Sequence, residues 1–501
     1  MFKRCTKITA ILLILLLVLA SCSSKQRLDD TPFSEIDNKT EDIVLENINQ
    51  YNIDLEMYPE EKFIKGDQKV TYINNEDESM EKVYFHLYPN AFKEKETAPF
   101  LFNDFLNAYP TGFAEGYIDI EEVKVDGADG IYSIGEFGET IMEVSLPQKL
   151  DIGGQVDIDI KYTIKLPPAT ERFGYGSDTY NLGNWYPVIA VYDDSGWNLD
   201  PYYAIGDPFY ADVSNYKVNI KAPKELIIAS TGSISSNVVD DNTIEWTAQA
   251  KAVRDFAWVA SKSFEIVEKE VDGILLKMYF LESQVNNDYI RGKSLEFAED
   301  SLKVFNRVFG KYPYKEYSVV QTNFPSGMEY PGIVFIGNQY YDKYYADFLE
   351  TIIVHETAHQ WWYGVIGNDQ IDESWLDESL ASYSEVIYQM ENYGEDAAKE
   401  YQKSENEDKY YKAENSLEDR AVLKSLKDFN EWNEYGALVY NKGAIFLDDI
   451  KDKYGKDTFY KILKTYYNRY KFKNATTEDF LDVCEEITGD DLDEYFDEWL
   501  K

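Results

Sequence analysis

VHETAHQWWYG, residues 354–364, contains two of the chain's three histidines. His355 and His359 stand four residues apart. On a helix they share one face and can converge on a single metal ion, while Glu356 lies about 100° around, beside the ion rather than beneath it. A helix start is expected at Asp347 and Glu350, spaced as a capping box, and a stop at Gly364 or Gly367.

A metal used in catalysis normally takes three protein ligands and leaves a position for water, so a third ligand must come from elsewhere. DESWLDESLASYSEVIYQ, residues 372–389, supplies the carboxylates. Read as a helix from Ser374, its apolar residues Trp375, Leu376, Leu380, Tyr383, Val386 and Ile387 fall on one arc of about 140°. Glu378 and Glu385 lie together at the edge of that arc, Ala381 and Ser382 leave room for another helix to approach, and Asp377 points elsewhere. Geometry narrows the third ligand to Glu378 or Glu385, with the other free to orient a ligating histidine. Two histidines and a carboxylate suit zinc best, one ion per chain.

Upstream of this region, YNIDLEMYP alternates Tyr51, Ile53, Leu55 and Met57 with polar residues, the period of a half-buried strand. Similar runs at QKVTYINN, EKVYFHLYP, YKVNIKAP and NTIEWTAQA are separated by turn residues, so residues 45–265 read as an antiparallel β-domain. Helical spacing begins near 285, with GKSLEFAEDSLKVFNRVFG ending at Gly310. A short strand pair, YSVVQT and GIVFIG, follows, and long helices complete a second domain over 266–501. The fold class is α+β. His86, in YFHLYPN, reads as structural.

The chain has 501 residues and a formal net charge of −43, which excludes nucleic acid and anionic lipid as direct ligands of its surface. Its start combines Lys3, Arg4 and Lys7 with a run from Ile8 to Ala20 that is apolar but for Thr9, too short for a membrane span and suited to an export signal. LASC then resembles the lipobox of bacterial lipoproteins. Residues 1–21 are therefore expected to be removed, Cys22 to carry lipid, and 22–44 to form a polar tether on an extracytoplasmic, membrane-anchored protein. Only Cys484 remains in the mature body, so no intrachain disulfide is expected there.

HETAHQWW followed by WLDESLASY, with 18 residues between His359 and Glu378, resembles the aminopeptidase N family of gluzincin zinc metallopeptidases. The resemblance implies a β-sandwich or saddle domain before a thermolysin-like, mainly helical peptidase domain. It implies His355, His359 and Glu378 as zinc ligands, Glu356 as general base and Glu385 as a partner behind the ligands. PSGMEYPG resembles the family's GxMEN signature, which maps onto Gly327, Met328 and Glu329, with Glu329 binding the substrate's free amine; Tyr330 stands where the family has Asn. YGALVYNKGAIFL matches the segment carrying the catalytic tyrosine, which points to Tyr440 before Tyr435. The family's PCFDEP-like element is absent, and GNWYPVIAVYDD is expected in its place. The chain ends where the catalytic domain should, so an open cleft is expected. The implied activity is removal of N-terminal residues from extracellular peptides. The alternatives are a zinc endopeptidase or narrow-specificity peptidase, and a catalytically idle binding lipoprotein.

Overall fold

Alternation of apolar and polar side chains governs the first half of the chain. Along Asn49–Tyr58, Tyr51, Ile53, Leu55 and Met57 are buried and the residues between them face solvent, because successive strand side chains point to opposite faces. The computed structural model describes residues 43, 45, 47–282 and 288–501. The expected export signal, nearly all of the tether and the lipidation site Cys22 lie outside the described residues. No described helix is long and apolar enough to cross a membrane.

The largest sheet has eight strands, in the spatial order Ser233–Val238, Thr243–Val253, Ser214–Pro223, Asn49–Tyr58, Phe63–Ile73, Gln155–Lys165, Tyr117–Val125 and Ala128–Asp129. Its pairings are antiparallel except at the centre, where Asn49–Tyr58 runs parallel to Ser214–Pro223. Two four-stranded sheets accompany it, so the N-terminal half is a multi-sheet β-domain. His86 is buried here, stacked on Tyr88 at 4.8 Å and donating from Nε2 to the Asn198 carbonyl at 3.1 Å.

A five-stranded sheet opens the second half, in the order Phe264–Val271, Ile274–Leu281, Glu316–Thr322, Ile333–Gly337 and Gly327–Met328. Residues 265 and 266, between which the sequence places the domain boundary, both lie inside its first strand. YSVVQT and GIVFIG pair in parallel as neighbours, and the edge strand Gly327–Met328 runs antiparallel beside them. Helix α1 (Asp288–Val308) packs against α2 (Ala346–Ala358) and α3 (Trp375–Tyr393).

The ends of α2 differ from the expected ones. The capping box does not form: Asp347 sits in the first turn, Asp342 caps the preceding short turn through the Tyr344 N–H, and Glu350 accepts from the Tyr388 and Tyr393 hydroxyls instead. The regular helix stops at Ala358, well before Gly364 and Gly367, because the chain tightens through Gln360 N–H to Thr357 and Trp361 N–H to Ala358. Gly367 has a packing reason to be glycine, since a Cβ there would lie 2.2 Å from the Arg254 guanidinium carbon. That buried arginine, from the β-domain, donates to the carbonyls of Ala211, Tyr363 and Lys473 and to Asn474. It ties the two halves over one continuous core.

Candidate active site

Three acceptor atoms meet where α2 and α3 face each other. His355 Nε2 and His359 Nε2 are 3.1 Å apart, and Glu378 Oε2 lies 3.2 Å from the first and 3.3 Å from the second. The opposite nitrogen of each ring is already committed as a donor: His355 Nδ1 to Glu385 Oε1 at 2.7 Å, and His359 Nδ1 to the Trp362 carbonyl at 3.0 Å. Both Nε2 lone pairs therefore point at the Glu378 carboxylate. Three lone pairs aimed at one point repel each other unless a cation sits among them, and two imidazoles with one carboxylate are a zinc donor set.

The helices explain why these residues meet. The i, i+4 spacing puts both imidazoles on the α2 face turned toward α3. On α3 the apolar arc is buried as expected, and Glu378 and Glu385, two turns apart, bracket His355. A further helix approaches α3 closely at Ser379, where a Cβ on Gly443 would lie 1.8 Å from Ser379 Oγ. Asp377 stays outside the three-atom cluster, accepting from Gln370 and Asn368, although its carboxylate lies within 4.8 Å of a His359 ring nitrogen. The alternatives left open between Glu378 and Glu385 thus separate in space: Glu378 joins the acceptor cluster, and Glu385 stands behind His355. Tyr401 donates to the far oxygen of Glu385 at 2.6 Å, a support that no local sequence signal announced.

Glu356 is buried, and its Oε2 has no hydrogen-bond partner among the described residues. Burial raises its carboxyl to about 7, offset in part by His355 and His359. Gly327 leaves it space, because a Cβ there would lie 1.9 Å from Glu356 Oε1. Tyr440 lies on a π-helical turn, Gly436–Lys442, with its ring stacked on His355 and its hydroxyl donating to Glu378 Oε1 at 2.6 Å. Tyr435 packs edge-on against it and is not among the residues lining the cavity.

A cavity of about 790 Å³ joins these groups, lined by Gly327, Glu329, His355, Glu356, His359, Glu378, Glu385 and Tyr440. Met328 is the exception. Its side chain is fully buried behind the wall, where Sδ accepts from Arg172 Nε at 3.0 Å. Glu329 is 4% exposed, and its Oε1 has no partner among the described residues. Burial raises its carboxyl well above the usual range, and the nearby Asp207 adds to the effect. Arg172 pairs with Asp207, and with Glu171 they bring β-domain side chains to the cavity wall. None of these three was legible in the sequence, because only the packing of the two halves places them there.

Tyr330 turns away from the cavity. Its hydroxyl donates to Asn184 Oδ1 at 2.6 Å, Asn184 donates to Asp255, and Tyr186 donates to the same carboxylate. GNWYP therefore lies beneath the Glu329 turn as a buried network and contributes nothing to the cavity lining. Gly183 makes room for the substitution: a Cβ there would lie 1.9 Å from the Tyr330 hydroxyl. Gln360, next to His359, fixes the same turn from the other side, accepting from the Gly332 N–H at 2.7 Å.

With this geometry in place, similarity to known proteins becomes informative. Residues 293–499 match the peptidase family M1 domain. The second half of the chain is thus similar to the M1 peptidases, and with the relatives below this supports an aminopeptidase N-like gluzincin. Over 425 residues it is 23% identical to aminopeptidase 2 of Candida albicans, and over 420 residues 22% identical to aminopeptidase N of Lactobacillus helveticus. These alignments cover 82% and 78% of this chain but only 45% and 47% of the relatives, so it spans about half their length. The M1 zinc metallopeptidase of Deinococcus radiodurans has the same fold, with a TM-score of 0.64 at 16% identity over 91% of this chain and 94% of that one. A variant of that enzyme, bound to a Tyr-Ser-Ala substrate, aligns at a TM-score of 0.63 and 15% identity over the same shares. Zinc is the cofactor that this family and its solved structures indicate, and His355, His359 and Glu378 have the donor chemistry to hold it.

Proposed function

We propose that this protein is a zinc-dependent aminopeptidase of the M1 type that removes N-terminal residues from peptides, and that it works outside the cytoplasm, anchored by lipid on Cys22. The observation that carries the activity is Glu329: a buried carboxylate with an unpartnered oxygen, facing a cavity that also holds the metal donors. A group so placed needs a cation, and a peptide's free α-ammonium supplies one. The preference for a free amine over an interior bond favours the aminopeptidase above an endopeptidase. The unpartnered oxygen of Glu356 and the Tyr440 hydroxyl favour catalysis above an idle fold. Export and anchoring are supported by the basic start, the apolar run and the LASC motif.

His355, His359 and Glu378 would hold the zinc, which when bound would supply Lewis acidity to the carbonyl and to water. Glu356 Oε2 takes a proton from the attacking water and returns it to the departing amine, base first and acid second. Tyr440 turns its hydroxyl from Glu378 Oε1 toward the oxyanion that forms at the scissile carbonyl; losing such a donor typically costs about 3 to 4 kcal/mol. Glu329 holds the α-ammonium, so the bond presented is the first one.

Hydrolysis of aminoacyl-4-nitroanilides beside their N-acetylated counterparts tests the reading, with and without chelator and in the Glu356→Gln variant. Cleavage confined to free-amine substrates and lost on chelation and in the variant is expected. Equal turnover of blocked substrates, or none by zinc-loaded protein, would remove Glu329 from its role.

A further inference from the structure

Three apolar side chains stand at the cavity mouth on three different elements. Leu106 comes from the one-turn helix Phe105–Ala108 of the β-domain, Phe348 from the first turn of α2, and Trp432 from the turn Trp432–Tyr435. All three line the cavity, yet they are 77%, 66% and 38% exposed. Phe102 and Tyr344, four residues before Leu106 and Phe348, are 94% and 81% exposed. A surface of net charge −43 has ample polar side chains to place at such positions, and exposed apolar groups gathered at one place mark a binding surface.

We infer that this rim binds the part of the peptide that follows the scissile bond, so that preferred substrates carry apolar side chains shortly after the N-terminal residue. The inference rests on the aminopeptidase reading, which sets the direction of the chain. Glu329, 4% exposed, takes the amine at the buried end. The rest of the peptide must then leave past Leu106, Phe348 and Trp432. Asp104 and Glu171 on the same wall repel an acidic continuation. A membrane surface is the other apolar partner to consider, but these residues line the cavity that holds the metal donors, and so lie on the path of a peptide.

The test compares kcat/KM on Leu-Ala-Phe-Phe-amide and Leu-Ala-Ser-Ser-amide in the zinc-loaded protein and in a Leu106→Ser, Phe348→Ser double variant. Calorimetric Kd values for both peptides on Glu356→Gln protein give a readout that needs no turnover. A preference of about tenfold for the Phe peptide, falling to near one in the double variant, is expected from partial burial of two aromatic side chains. A ratio near one in the starting protein, or one that the substitutions leave intact, overturns the inference. So does loss of binding to phosphatidylcholine vesicles in the double variant with the peptide ratio unmoved, which assigns the rim to a membrane. If N-acetylation leaves turnover of both peptides unchanged while the Phe preference persists and falls in the double variant, the aminopeptidase reading fails and the rim stands as a peptide surface.

Discussion

Gly327 is glycine because Glu356 occupies the space a side chain would need. With a Cβ 1.9 Å from Oε1, the carboxylate must swing out of its place in the cavity. Gly327→Ala should therefore lower kcat by roughly 100-fold, as displacement of a catalytic group does, with zinc content unchanged. Steady-state kinetics beside metal analysis checks this; undiminished kcat would show that Glu356 has room to move. His86 makes a different prediction. Burial lowers its pKa from 6.5 to about 4, against the hydrogen bond to the Asn198 carbonyl. The unfolded chain then binds the proton first, so stability that is full above pH 6.5 is lost as pH falls toward 4. Between pH 7.5 and 5 the loss is about 2 kcal/mol. Urea unfolding of wild type and His86→Phe at both values should show their difference in stability shrink by that amount at pH 5; a constant difference would contradict it.

At the scale of elements, the metal site depends on how α2 and α3 face each other. Periodicity revealed both helices and the residues their shared face presents, because i, i+4 geometry is local. It left Glu378 and Glu385 unresolved, since each lies at the edge of the same arc and only the crossing of the helices separates them. The expected caps failed for a related reason: Glu350 spends its carboxylate on Tyr388 and Tyr393, which come from α3. Glu385 holds His355 Nδ1 and is itself held by Tyr401. Glu385→Ala should weaken zinc binding by about 10- to 100-fold, read by competition with a chromogenic chelator. Unchanged affinity would mean that packing alone orients the ring.

Over the whole molecule, the site is shared between two halves that the sequence reads as separate. The β-domain was visible through its alternation, yet its contributions to the cavity, Glu171, Arg172 and Asp207, carry no signal of their own. They reach the wall only because the halves join over one core. The departure at Tyr330 is likewise explained across that join, by Gly183 and the Asn184–Asp255 network beneath the turn. Burial of Glu329 at the meeting of the halves suits it to read a free amine there. The most direct measurement is kcat/KM on leucine-4-nitroanilide and its N-acetyl form in wild type and Glu329→Gln. Wild type should cleave only the free amine, and Glu329→Gln should lose roughly 100- to 1,000-fold on it, as when one partner of a buried charge pair is removed. Equal rates on both substrates in wild type, or an undiminished rate in Glu329→Gln, would contradict it.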